Sequence, residues 1–484
     1  MALQTTGAIT LADIQTEFGG ANPISLSEYY AGGGLVASGT AGIPTSGLIS
    51  LNSFYGAASK IPAWILDLGV QRLEKGVSLG GGNIAIAGRF KNYNFNGGTL
   101  GGIATINSLG VGTITYFYNI NGICYSVDVD SSGNKYIANN NGQIAVLIKI
   151  NSSNVVQWRV GLSGATVFSD NGGMHVKVGS DGVYLLSSNY ASGSAINFAK
   201  FSFAGSVLWS KNIVAAGSEI AMLTSGSSIS TNSTRFIFSA ATKGSSAVGS
   251  IILGNPATGA ILNQRLIGRG TVTDSAGAGG IVVASDNTFF APIILSRSSS
   301  GSLHFPKLDS SGSITALTEV LTGYGPASIG GTAIDSSNNV YVSLLSPQFS
   351  GGASRILILK FNSAAVLQWQ RTFYHSTQSF QDARILVDNA GSFILTTTGS
   401  ISMVIKLPVD GTMTGTYNDN RSGLAGTTFT YAASTFTSQN IGSYSAAGNS
   451  LNTTATNTTA LAAAVTMDIY TGEEIRLATI NNLN

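Results

Sequence analysis

Ionic side chains are scarce in this sequence. Only 10% of its 484 residues are Asp, Glu, Lys or Arg, against about 25% in a typical soluble domain. The formal net charge is +2 and there is no basic run. Neutralising a phosphate backbone takes clustered Lys and Arg, so nucleic acid is not expected as a partner. Cysteine is limited to Cys124, which excludes an intramolecular disulfide. Its apolar surroundings (Ile123, Tyr125, Val127) predict a small buried strand residue. No stretch approaches the ~18 apolar residues of a membrane span, so no membrane insertion is expected. The opening Met1-Ala2-Leu3-Gln4-Thr5-Thr6-Gly7 lacks the basic and apolar regions of a signal peptide, and none is expected. Histidine is limited to His175, His304 and His375, with no metal-ligand spacing.

Glycine is abundant instead, at 61 residues, and Ser, Thr and Asn fill much of the rest. That mixture suits an all-β chain with many tight turns. It also suits surfaces packed on other subunits, because interface cores are depleted of charge.

The chain repeats itself. Lys149 precedes Trp158, Lys200 precedes Trp209 and Lys360 precedes Trp369, nine residues apart each time. Between Lys and Trp lies a turn of Asn, Ser and Gly, flanked by alternating apolar residues. This is a hairpin signature, with Gly or Asn supplying positive φ. Weaker copies surround Lys307 and Lys406. A second turn motif precedes each hairpin, as in Val129-Asp130-Ser-Ser-Gly133-Asn-Lys-Tyr136 and Ile334-Asp335-Ser-Ser-Asn338-Asn-Val-Tyr341. One unit is therefore four short strands, which is the make-up of a propeller blade. Third strands centre near residues 103, 147, 199, 252, 306, 358 and 405, predicting a seven-bladed β-propeller over 61–420. The segment 62–69, with Trp64, reads as a fourth strand lacking the three before it. It is expected to complete the last blade and so remove an exposed edge. One Trp per repeat at fixed register is expected to pack between blades rather than to offer a sugar platform.

These units resemble the bacterial propeller repeat of the SBBP type, with its turn, "xVYV" and "KL/KF…G…LW" pattern. The resemblance covers 62–417 and implies a fold, with nothing about activity.

Residues 1–60 differ in character. Three related segments, Thr10-Leu11…Phe18, Ser25-Leu26…Tyr29-Tyr30 and Ser50-Leu51…Phe54-Tyr55, each place a hydroxyl before Leu and end in aromatics and glycine. The hydroxyl can cap a short helix, and Ser25 with Glu28 fits a capping box. Ile14, Phe18, Tyr29, Tyr30, Phe54 and Tyr55 are the candidate anchoring residues. The run is similar to an N-terminal segment recurrent in virion structural proteins of tailed phages, chiefly marine and cyanobacterial ones. That resemblance implies an attachment module with varied domains fused behind it.

Residues 421–484 form a third unit. The stretch 422–467 holds no charged residue. Its aromatics predict a β-rich extension, with short strands on the propeller or on a neighbouring subunit and a last hairpin from Met467.

No catalytic constellation emerges, and neither enzyme activity, cofactor nor metal is expected. The turns at Asp130, Asp335 and Asp388 lack the further carboxylates of a calcium loop and read as capped turns. The expectation is a virion structural protein, in the tail as fibre, tip or appendage. Its partners would be other virion proteins, copies of itself and a host-surface glycan. Two alternatives stand beside it: a head decoration or fibre, and a secreted carbohydrate-binding propeller.

Overall fold

Alternating apolar residues between tight turns fold as antiparallel meanders. A computed structural model describes residues 3–433 apart from short interruptions; beyond 433 it describes only the backbone of four strands. Each expected third-strand centre falls within a strand: Thr99–Ile106, Ile144–Ile150, Ala195–Phe201, Gly249–Gly254, Gly301–Leu308, Arg355–Phe361 and Met403–Pro408. Turn chemistry explains the boundaries. Asn154 and Asn338 hold φ near +62°, and Gly205, Gly259 and Gly411 hold φ of +90°, +70° and +70°. Asp130 accepts hydrogen bonds from the Ser132 and Asn134 amides at 3.0 and 2.9 Å, which fixes its turn.

The protein is an all-β propeller of small antiparallel sheets. Five sheets stand apart, and a sixth contains ten strands. The ten-stranded sheet holds two four-stranded meanders, 72–117 and 124–166, joined by one parallel bridge between Lys75 and Ser126. The sequence predicts seven separate blades, whereas here two successive units share a backbone bridge. The first strands of the units neighbour one another in a closed circle. In order they are Arg72–Gly80, Cys124–Val129, Met174–Gly179, Ile229–Thr231, Val282–Val283, Ser328–Ile334 and Phe380–Val387, which returns to Arg72–Gly80. Glycine permits this approach. A Cβ at Gly330 would lie 1.5 Å from the Ala383 carbonyl oxygen.

The core lies between neighbouring sheets. Tyr136, Leu147, Val183 and Leu185 form one such layer, and Tyr341, Ile358, Phe393 and Ile405 another. Cys124 is buried in a third. The strand Trp64–Asp67 pairs antiparallel with Met403–Pro408, so the first strand after the N-terminal module sits in the same sheet as the last repeat.

The C-terminal segment runs backward around the ring. Thr428–Ala433 pairs with Leu367–His375, and Ser438–Asn440 with Ile314–Leu321. Asn452–Ala455 then pairs with Val207–Val214, Ala460–Ala462 with Val156–Thr166, and Ile469–Thr471 with Gly112–Phe117. Each addition is antiparallel and falls on the fourth strand of a unit, where a sheet edge would otherwise be open. The hairpin expected from Met467 lies partly outside the described residues. Its described part, Ile469–Thr471, pairs with another unit.

Candidate functional site

The N-terminal module is built from three capped turns. Leu11–Phe18 is a helix of eight residues; Leu26–Tyr29 and Leu51–Phe54 are single 3₁₀ turns. The Thr10 amide donates to the Asp13 carboxylate at 2.8 Å, and the Asp13 amide donates to the Thr10 hydroxyl at 3.2 Å. The Ser25 amide likewise donates to Glu28 at 3.0 Å, completing a capping box. The three related segments thus fold alike, and each delivers one aromatic ring inward. Phe18, Tyr29 and Phe54 meet edge to face, with centroids 5.9–6.3 Å apart. Ile14, Ile9, Val36 and Ile43 surround them, so the module has a core drawn wholly from residues 3–57.

Four of the candidate anchors, Ile14, Phe18, Tyr29 and Phe54, are therefore interior to the module. Tyr30 and Tyr55 lie at its surface, where their hydroxyls donate to the carbonyls of Gly47 and Gly7. Besides Tyr55, the exposed apolar surface comes from residues outside the set of candidate anchors. Leu48 is 91% exposed, and Leu11 and Leu51 join Tyr55 among the exposed large hydrophobics. Leu11 and Leu51 follow the capping Thr10 and Ser50, but Leu26, in the same position after Ser25, packs against the core, so position in the segment gave no signal of exposure.

The repeat residues form a device between neighbouring units. Lys149 stands opposite Trp158, Lys200 opposite Trp209 and Lys360 opposite Trp369 on paired strands. The Trp158 indole N–H donates to the Phe203 carbonyl at 3.1 Å, and Lys149 Nζ donates to the same oxygen at 3.2 Å. Trp209 and Lys200 both donate to the Pro256 carbonyl, at 3.0 and 2.9 Å. Each ring also rests on the next unit's turn glycine: a Cβ at Gly205 would lie 3.0 Å from Trp158, and one at Gly259 2.7 Å from Trp209. Lys149, Lys200 and Lys360 lie over the rings of Tyr136, Tyr184 and Tyr341, 5.2–5.3 Å from their centroids. These side chains hold one unit's outer hairpin against the next.

Charged residues that are scattered in sequence gather on the inner strands. Glu74, fully buried, meets Arg72 Nε at 2.5 Å and Arg384 Nη2 from the neighbouring unit. Asp382 meets the same Arg384 nitrogen at 3.1 Å. Asp128 meets Lys177 at 2.8 Å and accepts the Val178 amide at 2.8 Å. Burial pushes the Glu74 carboxyl up from its usual range, against the two arginines. His175 is buried beside this group. His304 sits elsewhere, against Ser302 and Glu319, and His375 Nδ1 accepts the Gln378 amide at 3.0 Å. Among the described residues no three His, Cys, Asp or Glu side chains are arranged to hold a metal ion.

The circle of small antiparallel sheets places the chain in the β-propeller class. Among solved structures it is similar to virginiamycin B lyase from Staphylococcus aureus, with 12% identity, a TM-score of 0.45 and coverage of 72% of this chain and 99% of that one. A streptogramin B lyase structure matches with 11% identity, a TM-score of 0.42 and coverage of 72% and 97%. Quinohemoprotein alcohol dehydrogenase from Comamonas testosteroni matches with 9% identity, a TM-score of 0.42 and coverage of 76% of each chain. These likenesses are of fold alone. No family model and no curated protein sequence matches the chain.

Proposed function

We propose that this chain is a non-enzymatic structural component of a phage particle, placed in the tail, with residues 1–60 attaching it to another virion protein. In this reading the ten-stranded sheet counts as two blades, giving a seven-bladed ring. The observation that carries the reading is the surface of the N-terminal module. Its core is already closed by Ile14, Phe18, Tyr29 and Phe54, yet Leu11, Leu48, Leu51 and Tyr55 remain at the surface. Apolar residues left outside a closed core gain free energy by docking on a partner. The resemblance of the first sixty residues to a segment of tailed-phage virion proteins supplies the kind of partner. The low charge of the whole chain fits subunits packed side by side. Immunogold labelling of purified particles, with antibody against residues 62–420, tests the placement. Gold on the tail supports it. Gold on the head moves the protein to capsid decoration. Unlabelled particles with an accessible epitope refute both.

A further inference from the structure

Four neighbouring inner strands bring their ionisable residues together. Every carboxylate there has a cationic partner: Glu74 has Arg72 and Arg384, Asp382 has Arg384, and Asp128 has Lys177. Those three acids face four cations, because Lys75 belongs to the same group. Lys75 makes no ion pair among the described residues, and it feels Asp128, Lys177 and Arg384 from three other inner strands. One positive charge is left over. His175 flanks the same group: the amide of the next residue, Val176, donates to the Ser126 hydroxyl at 2.8 Å, and Ser126 is the strand partner of Lys75. The ring is 1% exposed, and among the described residues neither Nδ1 nor Nε2 has a hydrogen-bond partner.

Both features are costly as they stand. A buried imidazole without partners forgoes the hydrogen bonds it had in water. An unpaired ammonium crowded by Lys177 is held in an unfavourable state: burial first, then that neighbouring charge, pushes Lys75 down to about 8. One ligand resolves both costs. We propose that this cluster of inner-strand charges is a binding site for a single small oxyanion, a carboxylate or phosphate group, held by the Lys75 ammonium and an N–H of the His175 ring. Lys75 supplies the charge, and the neutral imidazole supplies a directional donor. The arginines are engaged by Glu74 and Asp382, so they fix the walls of the site rather than compete for the anion. The inference is independent of the attachment reading, which concerns residues 1–60.

The test is calorimetric titration of the full chain at pH 7 and constant ionic strength, with two probes: inorganic phosphate and glucuronate. Saturable one-site binding of either probe is expected. Lys75→Gln should weaken it about tenfold or more, the usual loss for a charged hydrogen bond, and Lys75→Arg should largely restore it. Binding of glucuronate alone assigns an acidic sugar; binding of phosphate alone assigns a phosphate ligand. Acylation of Lys75 in the unmutated chain, followed by mass spectrometry, reads the site even if the variants do not fold. The bound probe should slow labelling of Lys75 and leave Lys149 unaffected. Absence of saturable binding of both probes, or equal affinity in the wild type and a folded Lys75→Gln, overturns the proposal.

Discussion

Trp64 stands opposite Lys406 in the register that pairs Trp158 with Lys149, Trp209 with Lys200 and Trp369 with Lys360. One partner lies near the start of the chain and the other near the end of the last repeat. The Trp64 indole donates to the Ser108 carbonyl at 3.0 Å, and a Cβ at Gly110 would lie 3.2 Å from its ring. The N-terminal strand therefore supplies the tryptophan that the last repeat lacks, and it holds the first unit as the other tryptophans hold theirs.

Trp64→Ala should destabilise the ring by about 3–5 kcal/mol, the range for truncating a buried aromatic. Denaturant unfolding measures it. A loss under about 1 kcal/mol, the range of ordinary surface substitutions, would mean that this strand does not close the ring.

Gly330→Ala should be poorly tolerated. The added Cβ would meet the backbone carbonyl of Ala383, which no rotamer change can move aside. The soluble yield and melting temperature of the variant should both fall. A variant as stable as the wild type would show that the inner strands are farther apart than described.

The acid side of the stability profile should carry His175. Burial, with help from Lys75 and Arg384, holds its pKa well below the usual 6.5. Below pH 6.5 the unfolded chain takes a proton that the folded chain refuses. Stability is thus full above 6.5 and declines as pH falls toward the folded value. Glu74, raised by burial, acts in the other sense, losing its contribution as pH rises through its folded value. Comparison with His175→Gln separates the two. Below pH 6.5 the wild type should lose up to about 1.4 kcal/mol per pH unit more steeply than the variant. Parallel profiles would contradict the placement of His175.

Removing residues 421–484 should leave the ring folded but prone to associate. The truncation strips added strands from five units and reopens their outer edges. Light scattering after gel filtration should show self-association of the truncated chain. A truncated chain that stays monomeric at high concentration would mean that those edges are protected in some other way.

The fold was legible because its repeat is written in turn chemistry. Asn154, Gly205 and Gly411 sit where a hairpin needs positive φ, and the strands follow from them. The bridge between Lys75 and Ser126 was not legible, because strand alternation says nothing about how closely neighbouring units approach. The module's aromatics were legible as a group, but their direction was not. Phe18, Tyr29 and Phe54 turn toward one another, and only three-dimensional closure reveals that they leave Leu48 outside. The inner-strand charges were the least visible. Glu74, Asp128, Lys177 and Arg384 are scattered along the chain, and only the circle of inner strands brings them together.

The attachment claim is tested most directly by comparing particles assembled with the full chain and with residues 61–484, which keep Trp64–Asp67 and so can still close the ring. Quantitative mass spectrometry of purified particles gives the copy number of each. Full-length chain in particles, with the truncated chain folded in solution but missing from them, is the predicted result. Equal incorporation of both would contradict it and place the contact elsewhere on the molecule.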